Sequence, residues 1–227
     1  LALLPWHKIE TVLLDMDGTL LDLHFDNQFW LHHLPKKYAE KTGRSPQSCH
    51  EELKEAFAQV QGKLQWYCLD YWADRLQLDI MEAKLELAHL ITIRKDSIAF
   101  LDALRESNRR VVLVTNAHPD SLSLKVEKTQ LNDHIDTLIS THQFGVPKEF
   151  QLLWKKLHNH LKFEPQSTLF VDDGERILDA AKEFGIAYTL GITNPDSQLP
   201  DTTIANHLHT NNYYDLLQSI IDEPYVA

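Results

Sequence analysis

The chain is poor in cysteine, with only Cys49 and Cys68 among 227 residues. Two thiols cannot form a disulfide framework, and their spacing matches no common metal motif. Glycine is also scarce, at seven residues, and no low-complexity or repeated segment is present. No apolar run approaches the roughly 18 residues needed for a membrane-spanning helix. The first residues lack the basic and long apolar regions of a secretory signal, so a reducing, cytoplasmic setting is expected. Basic residues are outnumbered: 22 Lys and Arg against 33 Asp and Glu give a net charge of -11. That balance disfavours nucleic-acid polymers and anionic membranes as partners. An anionic small molecule would need a local source of positive charge, most simply a bound metal.

What is present is a globular composition, 43% hydrophobic, large enough to bury a core without disulfides. Short apolar runs recur at Thr11–Leu14, Arg110–Val114, Thr137–Ser140, Thr168–Val171 and Ile186–Leu190. Continuous apolar character over four or five residues reads as strands buried on both faces. Helical patterns lie between them, including Ile98/Leu101/Leu104, Leu153/Trp154/Leu157 and Ile177/Leu178/Ala181/Phe184. Asn212–Ile220 reads as a final helix. This alternation predicts an α/β fold with a Rossmann-like parallel sheet core.

One interval breaks the rhythm. From about Leu21 to Thr92 no strand pattern occurs, but helix-like stretches do: 25–34, 51–64, 65–76 and 81–90. Pro35, Gly43 and Pro46 separate the first from the second. Ordinary βα connections are a few residues long. The predicted organisation is therefore a catalytic core of residues 1–20 and 93–227, with 21–92 as an inserted helical cap domain.

The chemistry concentrates where strands end. Asp15-Met16-Asp17-Gly18-Thr19 follows the first strand, and ligands of open α/β sheets bind at that edge. Gly18 permits a sharp turn that brings two carboxylates together. One can attack an electrophile while the other handles a proton, with a cation offsetting their charge. Thr115-Asn116 ends the second strand, and Asp172-Asp173 ends the fourth.

These pieces, in this order, resemble the phosphatase branch of the haloacid dehalogenase-like superfamily. The resemblance implies that Asp15 is a nucleophile forming an aspartyl-phosphate and that Asp17 is the acid and base. It implies phosphate contacts from Thr115, Asn116 and Lys148, and Mg²⁺ held by Asp15, the Asp17 carbonyl and Asp173, with Asp172 alongside. Many relatives carry another acidic residue slightly later. Here Glu175 is a candidate for orienting metal-bound water, and Asp179 falls in the following helix.

A narrower resemblance runs through Leu14–Trp30, Trp66–Trp72, Asn116–Pro119, Ser140–Lys148 and Gly191–Ser197. These stretches are similar to the bacterial GMP/IMP nucleotidase group. It implies Mg²⁺-dependent hydrolysis of purine nucleoside 5'-monophosphates, with a sugar phosphate or another small phosphomonoester as the alternative substrate. Phe25, Asp26 and Asn27 are then candidate substrate contacts. Tyr67, Tyr71 and Trp72 are candidates for stacking on a base, and His118 for lining the entrance.

Overall fold

The computed structural model describes residues 4–226. Six parallel strands form one sheet in the order β3-β2-β1-β4-β5-β6. They are β1 (Thr11–Leu14), β2 (Arg110–Thr115), β3 (Thr137–Ser140), β4 (Thr168–Asp172), β5 (Tyr188–Ile192) and β6 (Leu208–Thr210). The last was not foreseen. It is short and only half-buried, so it carries no continuous apolar run. The fifth strand runs past Leu190, so Gly191 lies inside β5, where an added Cβ would approach Ile204 Cδ1 to 2.3 Å. The missing side chain lets Ile204 pack against the sheet.

β1 lies in the middle of the sheet and explains why its sequence is apolar throughout. Val12 and Leu14 face one core cluster with Phe100, Leu104 and Tyr213. Leu13 faces the other, with Trp154, Leu157 and Phe170. Successive strand residues point to opposite faces, so helices on both sides require an unbroken run. Each such side chain contributes about 1.5–3 kcal/mol through burial.

The cap elements form a third cluster around Phe29, Leu53, Trp72 and Ile80. The helices here are α1 (His24–Gln28), α2 (Leu34–Thr42), α3 (Pro46–Val60), α4 (Leu64–Tyr67), α5 (Leu69–Leu76) and α6 (Ile80–Glu86). Two expectations need correction. Pro35 does not break the first helix. A π-helical stretch, Phe29–His33, runs into α2, with the Leu34 amide donating to the Phe29 carbonyl. This wider turn accommodates a ring that would otherwise clash with the carbonyl four residues back. The break expected at Gly43 and Pro46 is present: Gly43 (φ +67°) ends α2, and Pro46 starts α3 behind a Ser45 cap that accepts from the Ser48 amide. The expected helix over 65–76 is divided instead: Cys68 is extended (φ -85°, ψ 111°) between α4 and α5.

The two cap connections run side by side. The Asp22 amide donates to the Thr92 carbonyl at 3.0 Å, and the Arg94 amide to the Leu20 carbonyl at 3.0 Å. The core helices are α7 (Ser97–Glu106), α8 (Pro119–Thr129), α9 (Gln151–Leu161), α10 (Glu175–Phe184) and α11 (Leu217–Asp222). Part of the expected last helix, Tyr213–Leu216, is 3₁₀. Among the described residues, no helix is long and apolar enough to cross a membrane.

Candidate active site

The strand order places the carboxyl ends of β2, β1 and β4 next to one another. Residues separated by more than 150 positions in sequence thereby meet in one cleft. At β1 the chain turns tightly: the Met16 carbonyl accepts from the Leu20 and Leu21 amides, each at 2.9 Å. Gly18 has φ +82°, and a Cβ there would lie 2.6 Å from Asp173 Oδ2. Glycine is required by both the backbone conformation and the closeness of that carboxylate.

Lys148 is the centre of the charge pattern. Its Nζ donates to Asp15 Oδ1 at 2.5 Å and to Asp172 Oδ2 at 2.7 Å. Burial opposes its charge, but Asp15 and Asp172 outweigh that penalty and hold its pKa above the usual lysine value. Asn116 anchors the Lys148 loop. Its Oδ1 accepts from the Lys148 amide at 2.9 Å and from Thr141 Oγ1 at 3.0 Å, while its Nδ2 donates to Glu149 Oε2 at 3.1 Å. Glu149 in turn accepts from the Tyr67 hydroxyl at 2.6 Å, joining the core loop to the cap. Thr115 is buried at the cleft floor, and its Oγ1 accepts from the Ala117 amide.

Asp15, Asp172 and Asp173 offer carboxylate oxygens all within 4.8 Å of one another. Burial raises the pKa of Asp15 to about 6, against the pull of Lys148. Burial, followed by repulsion from Asp172 and Asp15, raises that of Asp173 well above the ordinary range. Both Asp172 oxygens are engaged, by Lys148 and by the Gly174 amide (2.8 Å), whereas Asp15 gives Oδ1 to Lys148 and keeps Oδ2 with only a long 3.4 Å contact from Thr19, so Asp15 Oδ2 and Asp173 are the freer oxygen donors. Such a set fits a hard divalent cation like Mg²⁺, which favours oxygen ligands.

Two functional-site lysines escaped the sequence reading. Lys125 on α8 is fully buried, and its Nζ donates to Asp17 Oδ1 at 2.6 Å and to Asp26 Oδ2 at 2.7 Å. Lys84 on α6 is also buried, 3.6 Å from Asp26 and against the rings of Phe25, Phe29 and Trp30. Burial is the largest influence lowering its pKa, to about 8. Both were detectable as lysines at positions reserved for apolar residues. Lys84 shares a buried face with Ile80 and Ala83, and Lys125 shares one with Ser121 and Leu124. Asp17 is raised to about 6, first by burial and then by Asp26, with Lys125 opposing.

The charges balance informatively. Asp15, Asp17, Asp26, Asp172 and Asp173 face Lys84, Lys125 and Lys148. Full ionisation would leave a buried double negative charge, which a divalent cation would cancel. Without it, raised carboxyl pKa values reduce the same charge.

The cleft contains a cavity of about 200 Å³ lined by Asp15, Asp17, Asp26, Lys84, Thr115, Lys148 and Asp173, among others. An adjoining cavity of about 290 Å³ is walled by Asn27, Trp30, Phe57, Trp66 and Tyr67 and shares Asp17 and Asp26 with the first. Together they fall within the roughly 300–1,000 Å³ typical of small-ligand sites. The proposed contacts distribute unevenly. Asp26 lines both cavities; Asn27 lines the second and donates to Asp196 Oδ2 at 2.8 Å. Phe25 is buried beneath Lys84 and Lys125. Of the aromatic candidates, Tyr67 reaches the cavity, whereas Trp72 is 0% exposed in the cap core and donates to the Trp66 carbonyl. Tyr71 packs on Trp72 and accepts from Arg75. His118 lines the first cavity. Glu175 accepts from the Ala205 and Asn206 amides and Asp179 meets His207, so both are tied to a distant loop.

Comparison with known proteins agrees with this arrangement. The haloacid dehalogenase-like hydrolase family model matches residues 9–185. The chain belongs to the haloacid dehalogenase-like hydrolases. It is 46% identical over 218 residues to GMP/IMP nucleotidase YrfG of Escherichia coli (strain K12), covering 96% of this chain and 98% of that one. The corresponding Shigella flexneri nucleotidase gives the same identity and coverage. Among solved structures, a HAD phosphatase from Thermococcus onnurineus superposes with a TM-score of 0.78 at 21% identity, covering 95% of this chain and all of that one. An L-2-haloacid dehalogenase from Xanthobacter autotrophicus gives 0.61 at 17% identity, covering 93% and 98%. These two likenesses concern the fold. A parallel sheet core with helical cap elements is the architecture they share with this hydrolase.

Proposed function

We propose that this hydrolase is a Mg²⁺-dependent 5'-nucleotidase acting on purine nucleoside monophosphates, GMP and IMP foremost. The observation that carries the reading is the continuity of two cavities. The one above Asp15 is polar and lysine-rich, and the next is walled by Trp30, Phe57, Trp66 and Tyr67. A phosphate at the first would direct an attached nucleoside toward aromatic rings that can take a flat base. The nearly full-length similarity to proteins named as GMP/IMP nucleotidases supports the choice of base.

The chemistry follows from the residues at the cleft floor. Asp15 attacks phosphorus, forming an aspartyl-phosphate as the phosphorus–5'-oxygen bond breaks. Asp17, protonated, gives its proton to the departing 5'-oxygen, and the nucleoside leaves. Asp17, now a carboxylate, takes a proton from water as the water oxygen attacks phosphorus. The phosphorus–Asp15 bond breaks, releasing phosphate and restoring the Asp15 carboxylate. A pKa near 6 suits a group that must serve in both forms. Lys148 keeps Asp15 ionised and faces the phosphoryl oxygens, and Thr115 is placed to donate to them. Asp15 and Asp173, with the Asp17 carbonyl and with Asp172 beside them, would hold Mg²⁺. The ion supplies charge neutralisation at the phosphoryl group when bound.

A panel of phosphate esters, assayed with and without Mg²⁺ at low substrate concentration, tests the reading. Expected is Mg²⁺-dependent release of phosphate and nucleoside, with the highest kcat/KM on GMP and IMP. Equal or better efficiency on sugar phosphates would sink the purine assignment.

A further inference from the structure

A second cluster of ligating groups lies beside the cleft and shares no residue with the carboxylate set. Cys68, His118 and His142 each offer a sulfur or ring nitrogen, all within 4.8 Å of one another; Cys68 and His142 are partly buried and His118 is buried. They come from three backbone corners. Cys68 is the extended residue that interrupts the cap between α4 and α5. His118 is the N-cap of α8, and His142 lies in the 3₁₀ turn after β3. The cap thus contributes a thiol and the core two imidazoles. We propose that Cys68, His118 and His142 form a site for a thiophilic divalent cation of the Zn²⁺ class, which clasps the cap to the core at the edge of the active-site cleft.

The donor chemistry distinguishes this site from the catalytic one. Sulfur and imidazole favour Zn²⁺ and Co²⁺, whereas Mg²⁺ takes oxygen ligands. With bonds of about 2.0–2.3 Å, tetrahedral ligand atoms lie roughly 3.3–3.8 Å apart. The three ligand atoms lie within 4.8 Å of one another, so binding draws them together by up to about 1.5 Å. Outer contacts already orient the rings. His142 Nε2 lies 3.1 Å from the Asn116 carbonyl, so its N–H donates there and Nδ1 retains the lone pair. His118 Nε2 faces Asp70 Oδ2 at 3.3 Å, two residues from Cys68.

Binding has a local cost that is explicit in the geometry. His118 Nδ1 accepts from the Asp120 amide at 3.2 Å, which leaves the ring proton on Nε2. For Nε2 to bind a cation, the proton must move to Nδ1, which gives up the hydrogen bond from the Asp120 amide; Asp120 Oδ2, 3.7 Å away, would have to swing closer to accept from it. The Cys68 thiol must lose its proton to solvent on binding, as thiol ligands do. No oxidant or reductant is involved.

The consequence for turnover rests on the reading in which products leave past the cap. A cation joining Cys68 to His118 and His142 would hold that edge closed and slow release. The site's existence does not depend on that reading, and the experiment separates the two.

Co²⁺ is titrated into the full chain in excess Mg²⁺, which occupies the carboxylate site. Wild type should develop a near-ultraviolet thiolate-to-cobalt absorption and tetrahedral visible bands. Cys68→Ser should lose the first, and His142→Ala should weaken binding by at least about tenfold. Because either variant can misfold, alkylation of wild type provides a second measurement. One equivalent of Zn²⁺ should slow modification of Cys68, Mg²⁺ should not, and buried Cys49 serves as the internal control. Absence of the thiolate band, or unchanged Cys68 alkylation with Zn²⁺, overturns the site. With p-nitrophenyl phosphate as a general phosphate ester, Zn²⁺ should reduce turnover more in wild type than in Cys68→Ser. Equal inhibition overturns the clasp while leaving the site intact. Absence of any phosphatase activity rejects the proposed function instead.

Discussion

Lys125 Nζ lies 2.6 Å from Asp17 Oδ1, and the same ammonium holds Asp26 of the cap at 2.7 Å. The residue assigned the proton work is therefore coupled through one buried cation to the first cap helix. Asp26 continues the link to Lys84, 3.6 Å away. Cap position and Asp17 ionisation share a charge network.

Replacing Lys125 should expose that coupling. Lys125 lowers the pKa of Asp17 against burial and Asp26, so Lys125→Met removes the lowering influence. The limb of the pH–rate profile that reports Asp17 should move upward from about pH 6. Leaving Asp17 and Asp26 without their cation should also cost about 3–5 kcal/mol of stability. Lys125→Arg should recover part of both effects. A profile unchanged in Lys125→Met would separate Lys125 from Asp17 function.

Asp15→Asn should lower turnover by at least about 10³-fold, because the amide cannot act as the nucleophile. Folding should survive. Burial disfavours the Asp15 charge, and Lys148 retains Asp172 at 2.7 Å. Thermal denaturation at pH 7 in the absence of metal should give a Tm equal to or above wild type. Normal turnover in a folded variant would reject the covalent mechanism.

The raised carboxyl pKa values set the pH dependence of metal binding. Asp15, near 6, and Asp173, also raised by burial, bind protons in the folded chain that they lose when unfolded. Their contribution to stability therefore decreases as pH rises from about 4 through 6. Mg²⁺ competes with those protons. The increase in Tm caused by Mg²⁺ should be larger at pH 7 than at pH 5. The same increase at both values would place the ion elsewhere.

Gly18→Ala should disturb the metal site more than the sheet. Its Cβ would meet Asp173 Oδ2 at 2.6 Å and Pro195 Cβ at 2.9 Å, at a backbone φ of +82°. The left-handed conformation adds roughly 1–2 kcal/mol of strain for alanine. The variant should need more Mg²⁺ for half-maximal activity, measured beside its thermal stability. Wild-type Mg²⁺ dependence would contradict the packing argument.

Trp30 and Trp66 border both cavities. Trp66→Ala should raise KM for GMP and IMP while leaving kcat/KM for p-nitrophenyl phosphate within about twofold. A stacking contact of this kind contributes about 0.5–1.5 kcal/mol, or roughly 2- to 12-fold in affinity. Parallel losses on all esters would indicate a packing role for Trp66.

The residues of the candidate floor could be picked out because they are local signals. Asp15, Thr115 and Asp172 each end an apolar run, and a chain that alternates strand and helix can align those ends in one way. The cap was less legible. Aromatic residues spaced for a helix look alike whether they face a core or a cavity, so Trp72 and Tyr67 were equal candidates until Cys68 divided α4 from α5. Pro35 misled because a local rule for helix breaking takes no account of a π turn stabilised by surrounding packing.

The sequence by itself determined which polar residues stand at the strand ends and which family the chain belongs to, since both depend on residue identity and order along the chain. Only the tertiary structure decided which charges meet. Lys125 and Asp17 are 108 positions apart, and Lys148 and Asp15 are 133 apart. The buried ammonium groups that offset the acidic composition are charged residues in helical patterns until folding brings them to the carboxylates. Long-range electrostatic pairing depends on distance and desolvation, and neither is encoded at a single position.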